Sequence, residues 1–204
     1  MSINIFQHEF RFRLRSVIIW SVSITALVLF FFSIFPTFAE DANVFNELVA
    51  KFPKELREAF GLGKIDMSTV LGFMTLLFVF VQLCLSIQAG NFGFGLVSIE
   101  ETEKTADFLL TRPVSRFGIF TSKLVAAICS LLLTDIIVSL AIFAAIAAIA
   151  GEPTYDAPTL WLLLLSMIIF QLFFLGVGVL ISLLVKKVHN VTPFSLGLAF
   201  GAYV

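Results

Sequence analysis

At 204 residues, with 59% hydrophobic and 13% charged residues and a mean hydropathy of +1.05, the chain excludes a soluble domain, which carries about 25% charge. Its net charge of −1 gives no overall pull toward nucleic acid, so no nucleic-acid partner is expected. The cysteines Cys84 and Cys129 fall inside apolar runs without metal or redox spacing, which reads as small buried hydrophobes.

In chain order, residues 3–16 place Ile3, Phe6, Phe10 and Leu14 at helical spacing, with His8, Glu9, Arg11, Arg13 and Arg15 on the polar side. This predicts an amphipathic helix in the membrane interface, its cations near anionic headgroups. An apolar run from about 17 to 39 is too long for a signal core and predicts a first retained span. Residues 40–68 predict two short amphipathic pieces, one burying Phe45, Leu48, Val49 and Phe52, the other running from Pro53 to near Gly61. Further spans are predicted at about 69–91, 119–150 and 159–185, and a fifth apolar run occupies 191–204. That last run is too short to cross roughly 30 Å of hydrocarbon. The expected organisation is therefore a single transmembrane domain over 1–204, cut off before the end of its spans. The fold class is an all-α polytopic bundle with an N-terminal amphipathic interfacial helix and a short helix in the loop after the second span.

Cation placement sets the orientation. With the N-terminus inside, Arg11, Arg13, Arg15, Lys104, Arg112, Arg116, Lys123, Lys186 and Lys187 are cytosolic. Lys51, Lys54, Arg57 and Lys64 lie in an acid-rich outer loop. The sequon Asn190-Val191-Thr192 then faces the cytosol and is discounted. Gly61-Leu62-Gly63-Lys64 lacks the upstream glycine and following Ser/Thr of a phosphate-binding loop. Gly90, Gly93 and Gly95 follow a membrane span rather than a strand, which argues against a dinucleotide site and suggests a loosened helix exit. His8 and His189 are too few for a metal or catalytic site, so no catalytic residue and no metal site is expected.

The segment Glu100–Arg116 carries the functional signal. Ser98 and Glu101 stand in capping-box relation. Thr105 can cap a short helix with Asp107 in its first turn. Pro113 disfavours helix at Arg112, and Ser115 can cap the next span. Phe108, Leu109 and Leu110 are consecutive, and consecutive helical positions point about 100° apart. At least one of them therefore faces away from its own bundle, inside a rim of Lys104, Asp107, Arg112 and Arg116. An apolar tip with a charged rim is the make-up of a protein contact patch.

This segment resembles the cytosolic loop of membrane subunits (permeases) of ATP-binding cassette transporters, type-2 subfamily: acids, a threonine, an acid, paired leucines, then Pro-x-Ser-Arg. Glu101, Glu103, Thr105, Asp107, Leu109, Leu110, Pro113, Ser115 and Arg116 fall on that pattern, while Lys104 replaces a common glycine. The resemblance covers nearly the whole chain and implies six spans per subunit. It implies that the segment around Thr105–Leu110 is a coupling helix seated in an ATP-hydrolysing subunit. It implies that the helix bearing Phe6, Phe10, Arg11, Arg13 and Arg15 is a connecting helix meeting the same subunit, and that 186–190 makes a smaller contact. The implied partners are two ATP-binding subunits and a second permease, copy or paralogue, within a bacterial cytoplasmic membrane. Export is the implied direction. This chain would bind no cofactor, and ATP and Mg²⁺ would belong to the partner.

Inside the spans, Asp135 lies near the expected bilayer midplane, with Gln82 and Gln171 at similar expected depth. A charge there costs about 2.5–3.5 kcal/mol, so Asp135 should face the bundle or a cavity. No Lys, Arg or His lies in a span core to pair with it, which allows a protonated carboxyl. The three polar residues form either a substrate-lining or gating layer or an interhelical hydrogen-bonded one. Ala141, Ala145, Ala148, Gly178 and Ser182 permit close helix approach. Two rival readings stand beside the permease. An ion-coupled secondary transporter would use Asp135 and broken midplane helices, but no span has an interior proline. An intramembrane protease would use Glu100-Glu101, but Thr105 stands where that resemblance needs arginine, and no span carries a histidine.

Overall fold

The computed structural model describes residues 2–40, 51–53, 68–102, 115–149, 155–184 and 191–203. For residue 40, residues 97–102, residue 116 and residue 203 it describes the backbone alone. The described residues form an all-helical bundle of five helices: α1 (Ile3–Glu40), α2 (Val70–Thr102), α3 (Arg116–Ala147), α4 (Ala157–Leu184) and α5 (Val191–Tyr203). The first four are long and apolar enough to cross a membrane. Large apolar side chains such as Ile18, Val22, Phe30, Leu140, Ile169 and Leu180 cover their outer faces. The protein is an integral membrane protein.

Residues 3–16 do not form a separate interfacial helix, because α1 continues unbroken through them into the apolar run. Two features account for this. No glycine or proline interrupts the junction, and the buried stripe Arg13, Val17, Ser21, Ile24, Val28, Phe32 and Phe35 continues at helical spacing across it. At 1.5 Å per residue, α1 spans roughly 57 Å and outreaches a bilayer core of about 30 Å. Pro36 sits inside α1 near its end, where its missing N–H removes the helical bond to the Phe32 carbonyl. In the following segment Phe52 is exposed rather than buried. It occupies a bend, as expected of a residue before proline.

Chain direction follows from side-chain pairs near the helix ends. Ser2 and Glu9 of α1 meet Ser122 and Lys123 of α3, so α1 and α3 run in the same direction. Gln82 approaches Ser166, and Ser182 donates to the Phe94 carbonyl, so α2 and α4 also run together. Gln88 bonds Thr134, and α2 runs opposite to α3, since Phe73 and Leu77 cluster with Val138 and Ile142 while Phe92 and Leu96 cluster with Ala127 and Leu131. α2 is the central helix: from Leu85 to Gly90 every residue is buried.

α2 also continues past the expected exit at its glycines. A Cβ at Gly93 would stand 2.5 Å from the Leu175 carbonyl oxygen and 3.1 Å from Gly178 Cα. The glycines therefore bring two helix backbones together rather than loosening one. Gly178 meets the Gly90 carbonyl in the same way, in line with its expected packing role.

Two apolar clusters fill the interior. One, near the start of α2, gathers Ile24, Val28, Phe73, Leu77, Val81, Leu85, Val138, Ile142, Leu164 and Met167. The other, toward the end of α2, gathers Val17, Ala89, Phe92, Leu96, Ala127, Leu131, Phe174 and Leu175.

Candidate functional site

Two polar constellations interrupt this interior. The first lies at the end of the bundle where α1 begins, α2 ends and α3 begins. Phe6 and Phe10 stack with ring centroids 5.9 Å apart on the half-buried face of α1. One turn on, Arg13 is buried, donates to Glu9 Oε2 at 3.2 Å and lies 5.0 Å from the centroid of the Phe92 ring of α2. Glu9 also pairs with Lys123 of α3 at 3.5 Å, and the Ser2 backbone N–H donates to Ser122 Oγ at 2.9 Å. A guanidinium taken from water must be paired and stacked to be tolerated. Glu9 and Phe92 answer part of that need, the buried Arg13 Nε having no partner, and with Lys123 they tie α1 to both helices that flank the segment 103–114.

Arg11 and Arg15 are exposed, as expected of headgroup-facing or partner-facing cations. Arg13 is not, which corrects its grouping with them. Arg11 and Arg15 are one turn apart, while Arg13 lies about 200° round the helix from each, on the line of Phe6, Phe10 and Val17.

Ser115 caps α3 as expected, its hydroxyl accepting from the Gly118 N–H at 3.1 Å. Arg116 is the first residue of α3, and its side chain lies outside the described set. Glu101 falls in the last turn of α2, so Ser98 lies inside that helix rather than at the start of a new one. Glu103, Thr105, Asp107, Phe108, Leu109, Leu110, Arg112 and Pro113 lie outside the described residues, as do 186–190 and most of the 41–67 connection.

The second constellation separates the two apolar clusters. Gln88 of α2 donates to Thr134 Oγ1 of α3 at 2.9 Å. Asp135 and Gln171 are buried at 5% and 1% exposure. The Glu9–Lys123 register carries Ser21 of α1 to the level of Asp135, and the Gln82–Ser166 register carries Gln171 to the level of Gln88. All four long helices thus contribute a polar residue to one layer. Gln82 itself stands apart, with Ser166 at 3.5 Å. Six residues of helix put it about 9 Å from Gln88. Ser21, Gln88 and Thr134 escaped the sequence reading. Gln88 follows Gln82 by six residues in an uncharged run, and that interruption is a signal that was available.

Among the described residues no group of three or more His, Cys, Asp or Glu could hold a metal, and the two cysteines are free and half-buried. Neither constellation offers a nucleophile beside a base. Both contain hydrogen bonds or ion pairs that join helices.

Comparison with family models gives the decisive observation: the model described as ABC-2 family transporter protein matches residues 3–204. The chain belongs to the ABC-2 transporter family. Comparison with curated proteins and with solved structures gives no match. As a membrane subunit of a type-2 ABC transporter, the ABC-2 chain is a transport component, and association with an ATP-binding subunit follows from the family. The resemblance drawn from Glu101–Arg116 thus points to the same family.

Proposed function

We propose that this ABC-2 permease couples ATP hydrolysis in a separate subunit to export of a substrate across a bacterial cytoplasmic membrane. The charged end of the bundle faces the cytosol. The segment around Thr105–Leu110, with Leu109 and Leu110 at its tip, forms the coupling helix that seats in the ATP-binding subunit. The stretch of α1 from Phe6 to Arg15 meets that subunit alongside it, Arg11 and Arg15 reaching outward. Two permease chains work with two ATP-binding subunits. ATP and Mg²⁺ are held by the partner, since this sequence has no phosphate-binding loop.

The observation that supports this reading best is the clasp of Glu9, Arg13, Lys123 and Phe92. It binds α1 to the two helices that enter and leave the coupling segment. A displacement of that segment then moves α1, α2 and α3 as one body instead of dissipating in a loose loop. Such a body is a suitable lever for opening and closing a route at the permease–permease interface.

The test is Leu109→Asp. It places an unpaired carboxylate in the apolar tip, at a cost of several kcal/mol to docking. Export and partner-stimulated ATP turnover should fall to background while the chain remains inserted and folded. Export at the wild-type rate in a folded Leu109→Asp variant would remove the docking role.

A further inference from the structure

The polar layer between the two apolar clusters leaves an imbalance that side chains do not resolve. Asp135 Oδ1 and Oδ2, Gln88 Oε1 and Gln171 Oε1 are buried and meet no hydrogen-bond donor, against a single unpartnered amide nitrogen, Gln171 Nε2. The Ser21 hydroxyl, level with Asp135, and the Thr25 hydroxyl one turn beyond are buried and unpartnered as well. Buried polar atoms are nearly always satisfied, and an orphaned set in a native interior calls for a bound water or ion. A buried carboxylate further requires a counter-charge. The described cations Arg13 and Lys123 lie toward the charged end, roughly 12–18 Å away by helix rise, and Arg13 is engaged with Glu9.

We propose that this layer is a binding site for one monovalent alkali cation, with sodium as the ion to test, held inside a single permease chain. Oxygen ligands without nitrogen or sulfur suit a hard cation. One carboxylate without a second acid nearby suits a single charge rather than a divalent ion. A proton on Asp135 would supply one donor and leave both glutamine oxygens bare, whereas a cation answers several of these oxygens together. The ligand set draws on α1 through Ser21, α2 through Gln88, α3 through Asp135 and α4 through Gln171. Occupancy therefore ties both helix pairs at mid-bundle. Around Asp135 the buried polar groups are Ser21 and Thr25 of α1, Gln88 of α2 and Gln171 of α4, with the Cys84 thiol one turn from Gln88. The site is independent of the ATP-subunit docking proposed above.

The experiment uses the full chain purified in lipid nanodiscs. Its thermal midpoint is followed as sodium chloride replaces choline chloride at constant ionic strength, and binding of radioactive sodium is counted. The midpoint should rise with sodium through mass action on the folded state, with one ion bound per chain. Asp135→Asn should lose the sodium dependence, and Gln171→Leu should shift it to higher concentration. Should a substituted chain fail to insert, the count on the wild type decides alone. Identical midpoints in sodium, potassium and choline with no bound sodium would overturn the proposal. An infrared carboxylic-acid band of Asp135 that persists in saturating sodium would also overturn it and assign a proton instead.

Discussion

Glu9 holds two cations at once, Arg13 at 3.2 Å and Lys123 at 3.5 Å, with a side chain 18% exposed. Changing it to glutamine removes the negative charge between two largely buried positive ones. The loss should be about 1–3 kcal/mol, between an ordinary hydrogen bond to a charged group and a fully buried pair. We expect Glu9→Gln to lower the thermal midpoint of the purified chain, and Lys123→Gln to do so less. The double substitution should cost less than the two single losses added, since both remove one interaction. Strict additivity would show the pair to be ornamental. The sequence made this clasp partly visible. Glu9 and Arg13 are four apart on a helix, and odd positions 11, 13 and 15 alternate between opposite faces. Lys123 and Phe92 were not visible, since the register between α1, α2 and α3 is set by packing across long chain separations.

Among the elements, α2 and α4 depend on a closeness that only glycine allows. Gly93→Ala would put a methyl group 2.5 Å from a backbone oxygen, which cannot turn aside as a side chain can. The helices must part, at roughly 1–3 kcal/mol for overpacking, and the Ser182 bond to the Phe94 carbonyl one residue on should weaken with them. Gly176→Ala on the exposed face of α4 meets nothing within 4 Å. There the gain in helix propensity, up to about 1 kcal/mol, stands unopposed. Thermal unfolding of the two variants should therefore move in opposite directions. Equal effects would mean that α2 and α4 are not held backbone to backbone. Glycine spacing alone could not separate a loosened exit from a tight seam, because Gly90, Gly93 and Gly95 serve either. The length of α1 was obscured differently: charge density falls sharply near residue 16 and suggests two elements, while the buried stripe that makes one helix passes straight through.

At the scale of the molecule, an all-helical bundle with membrane-length helices was legible from run length and composition, and the family from the Glu101–Arg116 pattern. Asp135 and Gln171 were legible as bundle-facing because an apolar span seldom carries such groups toward lipid. Their neighbours in the layer were not, since Ser21 and Thr134 are common residues in membrane helices and only the assembled register lines them up. What emerges is a bundle with two polar joints, a charged clasp at one end and a buried oxygen-rich layer in the middle, separated by apolar packing. The clasp makes α1, α2 and α3 a unit at the end where the coupling segment would dock, and the Gln88–Thr134 bond in the layer joins α2 to α3 again at mid-bundle. A photoactivatable cross-linker at position 109 in cells tests the docking most directly. Capture of an ATP-binding subunit, lost when the crosslinker is moved to the lipid-facing position 140, is the result we predict. Capture of lipid alone at position 109, or labelling of that position by a membrane-impermeant reagent added outside, would contradict it.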